Sequence, residues 1–387
     1  MKLHQKRSFH LARQDQGAKL QRYREEMRDL TNSILDMVSA RQKLSLKIAR
    51  AKTAQGLEVE DRQVERRLIS SVKEHAAKIG LEEEVAESLA RKLIESSKIA
   101  QRRDTHLKQI KSFLKKSKIS GVSVIGAGRM GRWFASYFLT LGAEVVLYDE
   151  DRSRTLNAAK SLGCSKAKSF SDIANTDLVI LAVPISSTPG ILSRLLSHPA
   201  SERKIRIIEV SSVKSEIARS GLLEMKHIPE SFELYSIHPL FGSNANLFSA
   251  NQMVQVNRLD SDFIVKLFPH FNLFKMDLKK HDELMGLMLS LPHLLALVFA
   301  ELTVRKAGII PKGMGTPSYD YMLDLAKKVL GESPGVYFEI QSTNPNSKMI
   351  IDEAVKSLKR FNTLTENKSR FTRFFEETNH VIEKNDC

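Results

Sequence analysis

From Ser123 to Asp149 the chain reads SVIGAGRMGRWFASYFLTLGAEVVLYD: a short apolar run, glycines at Gly126, Gly128 and Gly131, a helix-length stretch, a second apolar run and an acid. Strand, tight turn, helix and strand in that order describe a nucleotide-binding βαβ unit, in which the glycines let backbone N–H groups approach a pyrophosphate at a helix N-terminus. Asp149 falls 18 residues after the last glycine. A carboxylate there accepts hydrogen bonds from an adenosine ribose and repels a 2′-phosphate, so the expected cofactor is NAD rather than NADP. Cofactor contacts are expected from Gly126, Gly128, Arg129, Met130, Gly131 and Asp149, with Val183 and Pro184 at the end of a following strand.

That unit begins only near residue 120 of 387, which leaves room for a complete domain before it and another after it. The expected organisation is multidomain: an all-α three-helix unit over 1–118, an α/β Rossmann-type NAD-binding domain over 119–277, and an all-α C-terminal domain over 278–387. Apolar content of 42% with mixed charge is that of a soluble globular protein. The longest apolar stretch, Met285 to Ala300, is interrupted by Ser290, Pro292 and His293 and is too short for a bilayer, so no membrane segment is expected. The N-terminus MKLHQKRSFHLARQ has positive charge without an apolar core to follow, and Cys164 and Cys387 are the only cysteines. Neither a secretory signal nor a disulfide framework is expected, and the chain reads as cytosolic. No metal site is expected.

Residues 1–118 hold 28 Lys+Arg against 16 Asp+Glu, so +12 of the formal net charge of +15 lies in the first third. No aromatic-studded basic motif accompanies this excess, and basic residues spread along amphipathic helices are solvated faces more often than nucleic-acid contacts. A small anionic substrate also draws on such a field.

Between Leu20 and Ala51, apolar residues recur at Met27, Leu30, Ile34, Met37, Leu44, Ile48 and Ala51 with no Pro or intervening Gly, which predicts one long helix packing along a seam. Arg41 interrupts that seam: either the helix bends away, or a buried guanidinium meets an anion. Lys52, 11 residues on, faces the same way about 16 Å along the axis. After a turn at Gln55-Gly56 a second helix is predicted from near Asp61, with Asp61 and Glu65 on one face, and a third from about Leu81 to Leu114, with Ser97 and Gln101 on one face. Together these residues describe a polar, cation-rich pocket in a three-helix unit.

The spacing from Arg24 through Arg41, Lys52, Asp61, Glu65, Ser97 and Gln101, with the phrases YREEM, SARQKL, ARAK and LIESSKIAQ, resembles the all-helical chorismate mutases over most of residues 18–104. Val64 stands where members of that family often carry an arginine. The resemblance implies an intertwined helical dimer whose first helix spans both subunits, so that Arg24, about 25 Å from Arg41 along a continuous helix, serves the partner's pocket. It also implies a site in which Arg24 and Arg41 hold the chorismate dianion while Lys52 and Gln101 meet the ether oxygen that becomes charged.

Beyond Asp149, LVILAVP (Leu178–Pro184) and IRIIEVSS (Ile205–Ser212) read as buried parallel strands from their continuous apolar, β-branched character. Their C-terminal ends should border the cofactor, together with SIHPLFGS (Ser236–Ser243), which brings His238 to the crevice. The phrases AVP, SSVK and HPLFG following the glycine turn, with DELMGLMLSLPH (Asp282–His293), resemble prephenate dehydrogenase from about residue 121 to 350. That resemblance implies His238 as the base for the ring hydroxyl, Ser212 and Lys214 as contacts to substrate or supports of the histidine, and His293 near the substrate. Lys328 takes the position of an arginine that grips the substrate carboxylate, and the C-terminal helices form a dimerisation domain. The segment from Thr363 to Cys387 has helical spacing and no motif.

Read together, the two resemblances imply a bifunctional enzyme of tyrosine biosynthesis. It would convert chorismate to prephenate and then, with NAD, prephenate to 4-hydroxyphenylpyruvate, as a cytoplasmic homodimer without nucleic-acid or membrane partners. Two alternatives stay open: a dehydrogenase that uses arogenate, and an NAD-binding protein whose helical segment is a non-catalytic dimerisation or regulatory module.

Overall fold

The computed structural model describes residues 2–56, 61–174, 176–198, 204–223, 228–256, 259–306, 310–311 and 313–384. Two compact units are present: Met1–Ile110 with Phe248–Ala250, and Lys111–Leu247 with Asn251–Cys387.

The first unit consists of α1 (Lys2–Ala54), α2 (Arg62–Ile79) and the greater part of α3 (Glu83–Lys116). The helix predicted from Leu20 is present without a break, and its register departs from expectation. Met27, Leu30, Ile34, Met37, Leu44 and Ile48 are 48–65% exposed, whereas Ser45 and Ala49 are buried and Arg41, Gln42 and Lys52 half-buried. The face turned to α3 is thus the one that carries Arg41, and the apolar stripe is left exposed. Arg41 does not bend the helix: its Nη1 donates to the carbonyl of Leu93, at 2.6 Å, and to Ser97 Oγ on α3.

The second unit is built on one eight-stranded sheet: β1 (Gly121–Ile125), β2 (Glu144–Tyr148), β3 (Ser165–Lys166), β4 (Leu178–Leu181), β5 (Ile205–Glu209), β6 (Phe232–Pro239), β7 (Gln252–Gln255) and β8 (Asn272–Lys275). The order is β3-β2-β1-β4-β5-β6-β7-β8. Every pairing is parallel except β6 with β7. The predicted strands are buried on both faces, with Leu178, Val179, Ile180, Ile207 and Ile208 at zero exposure, as a sheet covered by helices on both sides requires. Helices α4 (Arg129–Leu141), α5 (Arg152–Leu162), α6 (Phe170–Ala174), α7 (Thr188–Leu196), α8 (Ser215–Arg219) and α9 (Asp262–Leu267) connect the strands.

Register aligns the C-terminal strand ends. Ile125 pairs with Tyr148 and Leu181, Leu181 with Glu209, and Glu209 with Ser236. The residues that follow this row, including Gly126, Asp149, Ala182 and His238, therefore lie along one rim, and the strand order reverses between β1 and β4, where nucleotides bind in such sheets.

A helical continuation follows: α10 (Leu278–Met285), a π-turn (Gly286–Ser290), α11 (Leu291–Arg305), α12 (Pro317–Leu330), α13 (Pro334–Thr343), α14 (Pro345–Leu364) and α15 (Lys368–Lys384). The helical run Leu278–Arg305 is 28 residues and is, by length and composition, long and apolar enough to cross a membrane. That run is longer than the apolar stretch Met285–Ala300 because the helix continues beyond it at both ends. Cys164 is a free thiol, Cys387 lies outside the described residues, and among the described residues no group of His, Cys, Asp and Glu is arranged to hold a metal ion.

Candidate active sites

In the helical unit, α1 and α3 bring three of the expected residues together. Besides accepting from Arg41, Ser97 Oγ donates to the Leu93 carbonyl at 2.9 Å, and one turn on Gln101 Nε2 donates to the Ser45 carbonyl at 3.0 Å. Glu65 on α2 faces the same region through an ion pair with Lys98, 2.9 Å apart. Asp61 acts locally, as the N-cap of α2, accepting from the N–H groups of Gln63 and Val64. The backbone bond from Val64 is the chief cause that holds its carboxyl below the usual range, against desolvation, and the bond from Gln63 and the charges of Lys52 and Arg67 also lower it. Arg24 is exposed, far up α1, and Val64 is exposed as well.

In the sheet unit the glycine turn is sterically specified at two positions. Gly126 has φ +99°, and a Cβ there would lie 2.1 Å from the Ala182 carbonyl oxygen; a Cβ on Gly131 would lie 1.8 Å from the Gly126 carbonyl oxygen. Gly128 is different, because a Cβ there meets nothing within 4 Å, which leaves open space directly before the first turn of α4. Asp149 closes the turn from β2: its Oδ2 accepts from Ala127 N at 2.9 Å and its Oδ1 from Asp151 N at 3.0 Å, with Arg154 Nη1 at 3.4 Å. Arg129 reaches away from the turn to Glu332, at 2.5 Å, and to the Gly331 carbonyl, at 2.9 Å. Met130 is half-buried in α4, Val183 half-buried against the core beside Gly126, and Pro184 exposed.

Across the rim lies a dense buried polar cluster. His238 is the penultimate residue of β6 rather than part of a loop, paired with Val254 of β7 and 3% exposed. Its Nδ1 lies 3.0 Å from His281 Nε2, and His281 Nδ1 lies 2.8 Å from Asp282 Oδ1. Asp282 also accepts from Lys214 N at 3.0 Å and from Ser215 Oγ. Lys214, fully buried, commits its ammonium to Glu209 Oε1 at 2.6 Å and to the Ile237 carbonyl at 2.7 Å, so it fixes the backbone next to His238. Glu209 accepts further from Ser211 N and Ser236 Oγ.

Burial pushes the His238 imidazole well below its usual range, and the neighbouring His281 and Lys214 add to this. His281 is lowered by burial, with Asp282 opposing. Burial raises the Asp282 carboxyl, but the hydrogen bonds from His281, Ser215 and Lys214 outweigh it and hold the group below its ordinary value. Ser212 is half-buried beside this cluster in sequence and Lys328 is exposed on α12. His293 sits edge-on to Tyr337, ring centroids 4.4 Å apart, with its Nδ1 buried and lacking a hydrogen-bond partner; burial lowers its pKa.

Three family models match in succession: chorismate mutase type II over residues 23–102, the nucleotide-binding domain of prephenate dehydrogenase over 134–256, and its dimerization domain over 277–377. The chain belongs to the chorismate mutase and prephenate dehydrogenase families. It is 21% identical to the T-protein of Haemophilus influenzae over 90% of this chain and 87% of that one. With a Methanocaldococcus jannaschii protein named "Probable arogenate/prephenate dehydrogenase" it shares 26% identity over 64% of this chain; the match spans little more than half, 57%, of that relative. The prephenate dehydrogenase of A. aeolicus, solved with hydroxyphenyl propionate and NAD+, shares the fold at 17% identity with a TM-score of 0.55, covering 69% of this chain and 98% of that one.

Membership accounts for the order of the units, and the geometry adds residues that sequence reading passed over. Lys98, the partner of Glu65, adjoins Ser97 and was available as a cation on the same helix. His281 immediately precedes and Asp282 opens the DELMGLMLSLPH phrase; their partners are His238, Lys214 and Ser215, more than 40 residues away, and no local pattern marks them.

Proposed function

We propose that the chain is a bifunctional enzyme of tyrosine biosynthesis, rearranging chorismate to prephenate in 1–118 and oxidatively decarboxylating prephenate to 4-hydroxyphenylpyruvate in 119–387, with the NAD-binding domain over 119–277 and the helical domain over 278–387. The observation that carries this reading is the presence, in one chain, of a cation-bearing polar cluster on α1 and α3 and of a buried histidine on the same sheet rim as a glycine turn. The product of the first site is the substrate of the second, which favours prephenate over arogenate.

In the mutase site no nucleophile or proton transfer is needed. Chorismate rearranges through a chair-like transition state in which the breaking ether oxygen gains negative charge. Arg41, with the partner subunit's copy of Arg24, holds the carboxylates, and Lys52 and Gln101 stabilise the oxygen, so that stabilisation specific to the transition state supplies the rate. Ser97 steadies Arg41, and Glu65 and Asp61 complete the polar wall.

In the dehydrogenase site the fit to NAD rests on the turn: the open space at Gly128 takes a pyrophosphate that a side chain would exclude, and Asp149, held by Ala127 N, faces the ribose position. NAD, when bound, accepts the hydride lost from the substrate ring. His238 takes the proton of the ring hydroxyl as the ring carboxylate leaves as CO2, and its lowered pKa keeps it neutral and able to accept at neutral pH. Lys214 holds the strand carrying it, Ser212 and His293 border the substrate, and Lys328 provides the carboxylate contact with a point charge in place of a bidentate fork.

A homodimer belongs to the same reading: the exposed stripe on α1, and Leu295, Leu297, Val298, Leu302 and Val304 on α11, all at least 38% exposed, are apolar surface that a second copy covers. The run Leu278–Arg305 is read as dimer core in a cytoplasmic enzyme rather than as a membrane span, because its first turns bear Asp282, hydrogen-bonded to Lys214 and Ser215 of the sheet unit. Substrate choice is the test. Prephenate with NAD should yield NADH, chorismate with NAD should yield it after a lag, and arogenate should be turned over more slowly; faster oxidation of arogenate than of prephenate would overturn the substrate assignment.

A further inference from the structure

We propose that His281 and Asp282 are positioning residues that fix His238 in the one tautomer able to act as a base, and that the Asp282 carboxylate compensates the charge His238 acquires during turnover. The proposal rests on the assignment of His238 as the base.

The geometry leaves little freedom in where the protons lie. Asp282 receives three donors, Lys214 N, Ser215 Oγ and His281 Nδ1, so it serves as an ionised acceptor and His281 carries its proton on Nδ1. A neutral His281 then presents a bare Nε2, which can only accept. The atom 3.0 Å from it is His238 Nδ1, which therefore donates. A neutral His238 with its proton on Nδ1 has its Nε2 lone pair unprotonated, the state required of a group that removes a hydroxyl proton. The chain carboxylate, imidazole, imidazole thus sets the tautomer of the last member from a residue 44 positions away in sequence.

The same arrangement meets the charge problem. When His238 gains a proton in this buried site, the groups around it are His281 and Asp282 from α10, Glu209 from the end of β5 and Lys214 from the start of α8. Glu209 and Lys214 already neutralise each other at 2.6 Å, so Asp282 is the charge that offsets the new imidazolium. Its backbone is tied down as well, since Asn344 Nδ2 donates to the Asp282 carbonyl at 2.8 Å. An element of the helical domain therefore tunes a residue of the sheet, and the base is competent only while α10 is docked.

Asp282→Asn tests this directly. An amide at 282 can donate to His281 Nδ1, which reverses both imidazoles and leaves His238 Nε2 protonated. A comparable carboxylate-to-amide change behind a catalytic histidine costs about 10⁴ in kcat; with a second imidazole intervening, a loss on the order of a hundredfold in prephenate kcat is expected. The KM for NAD and the mutase activity should stay near wild type. The acid limb of kcat/KM should also move to lower pH, since removal of the carboxylate disfavours the imidazolium.

A second pair of variants covers the case in which Asp282→Asn does not fold. His281→Gln retains an acceptor near the Nε2 position and should keep at least about tenfold more kcat than His281→Leu, which packs as well and accepts nothing. Wild-type kcat in Asp282→Asn, or equal kcat in the Gln and Leu variants with an unmoved acid limb, would overturn the proposal. His238→Asn separates the two levels: if it keeps its turnover, the base assignment falls and the proposal with it, whereas its inactivity beside a fully active Asp282→Asn defeats the positioning role alone.

Discussion

Replacing Gly131 by alanine adds one methyl group at a place where the chain has no room for it. The new Cβ would lie 1.8 Å from the Gly126 carbonyl oxygen and 2.9 Å from its carbon, with Val124 Cγ1 at 3.4 Å behind. Non-bonded carbon contacts settle near 3.5 Å, so the first turn of α4 and the glycine turn must part by roughly 1.5 Å. Overpacking of this kind costs about 1–3 kcal/mol, and a misplacement of about 1 Å in a positioning element costs on the order of a hundredfold in rate. The expectation is a fall of that size in kcat/KM for NAD, a Tm lowered by a few degrees, and mutase activity unchanged. Gly128→Ala is the internal comparison: its Cβ meets nothing within 4 Å, so Tm should hold while NAD affinity falls, because the methyl group occupies the space given to the pyrophosphate. Steady-state NADH formation, thermal unfolding and chorismate consumption on the same preparations decide the matter. Wild-type NAD kinetics and Tm in Gly131→Ala would refute the steric reasoning.

Three further outcomes follow from the same geometry. Asp149→Ser removes the acceptor for Ala127 N and the carboxylate beside Arg154, so the preference for NAD over NADP should narrow; comparable kcat/KM for both cofactors in the wild type would contradict the role given to Asp149. His238→Asn should bind NAD normally and lose on the order of a hundredfold or more in prephenate turnover, whereas a packing histidine would show lowered Tm with near-normal turnover. Stability should be level above about pH 6.5 and fall as pH drops below it. There the unfolded chain protonates histidines that the fold keeps neutral, His238 and His281 being lowered chiefly by burial. Each contributes up to about 1.4 kcal/mol per pH unit in that window, and a Tm that rises on acidification would contradict it.

Local signals carried much of the fold. The glycine turn was legible because Gly126 and Gly131 are demanded by close backbone contacts, and the strands because burial leaves a continuous apolar record at Leu178–Leu181 and one interrupted by Arg206 at Ile205–Ile208. What periodicity could not supply was the surface that each face meets. The stripe from Met27 to Ile48 is apolar for a helical reason, yet the chain packs Ser45 and Ala49 inward instead, because Arg41 has its partners on α3, more than 50 residues away in sequence. His238 could be picked out from its motif, but its neighbours could not: His281 reaches it across 43 residues, and nothing local in the HD dipeptide distinguishes a buried relay from a helix start.

The central claim, two separate sites acting in series in one chain, is tested most directly by complementation between two variants. Lys52→Ala should lose the mutase reaction and keep NAD-dependent oxidation of prephenate, since the lost charge stabilises only the breaking ether bond, and His238→Asn should do the reverse. Neither alone should form NADH from chorismate. An equimolar mixture should restore it, prephenate made by one variant being oxidised by the other. A mixture that remains inactive while each variant keeps its single activity, or a Lys52→Ala protein that also fails with prephenate, would contradict the account.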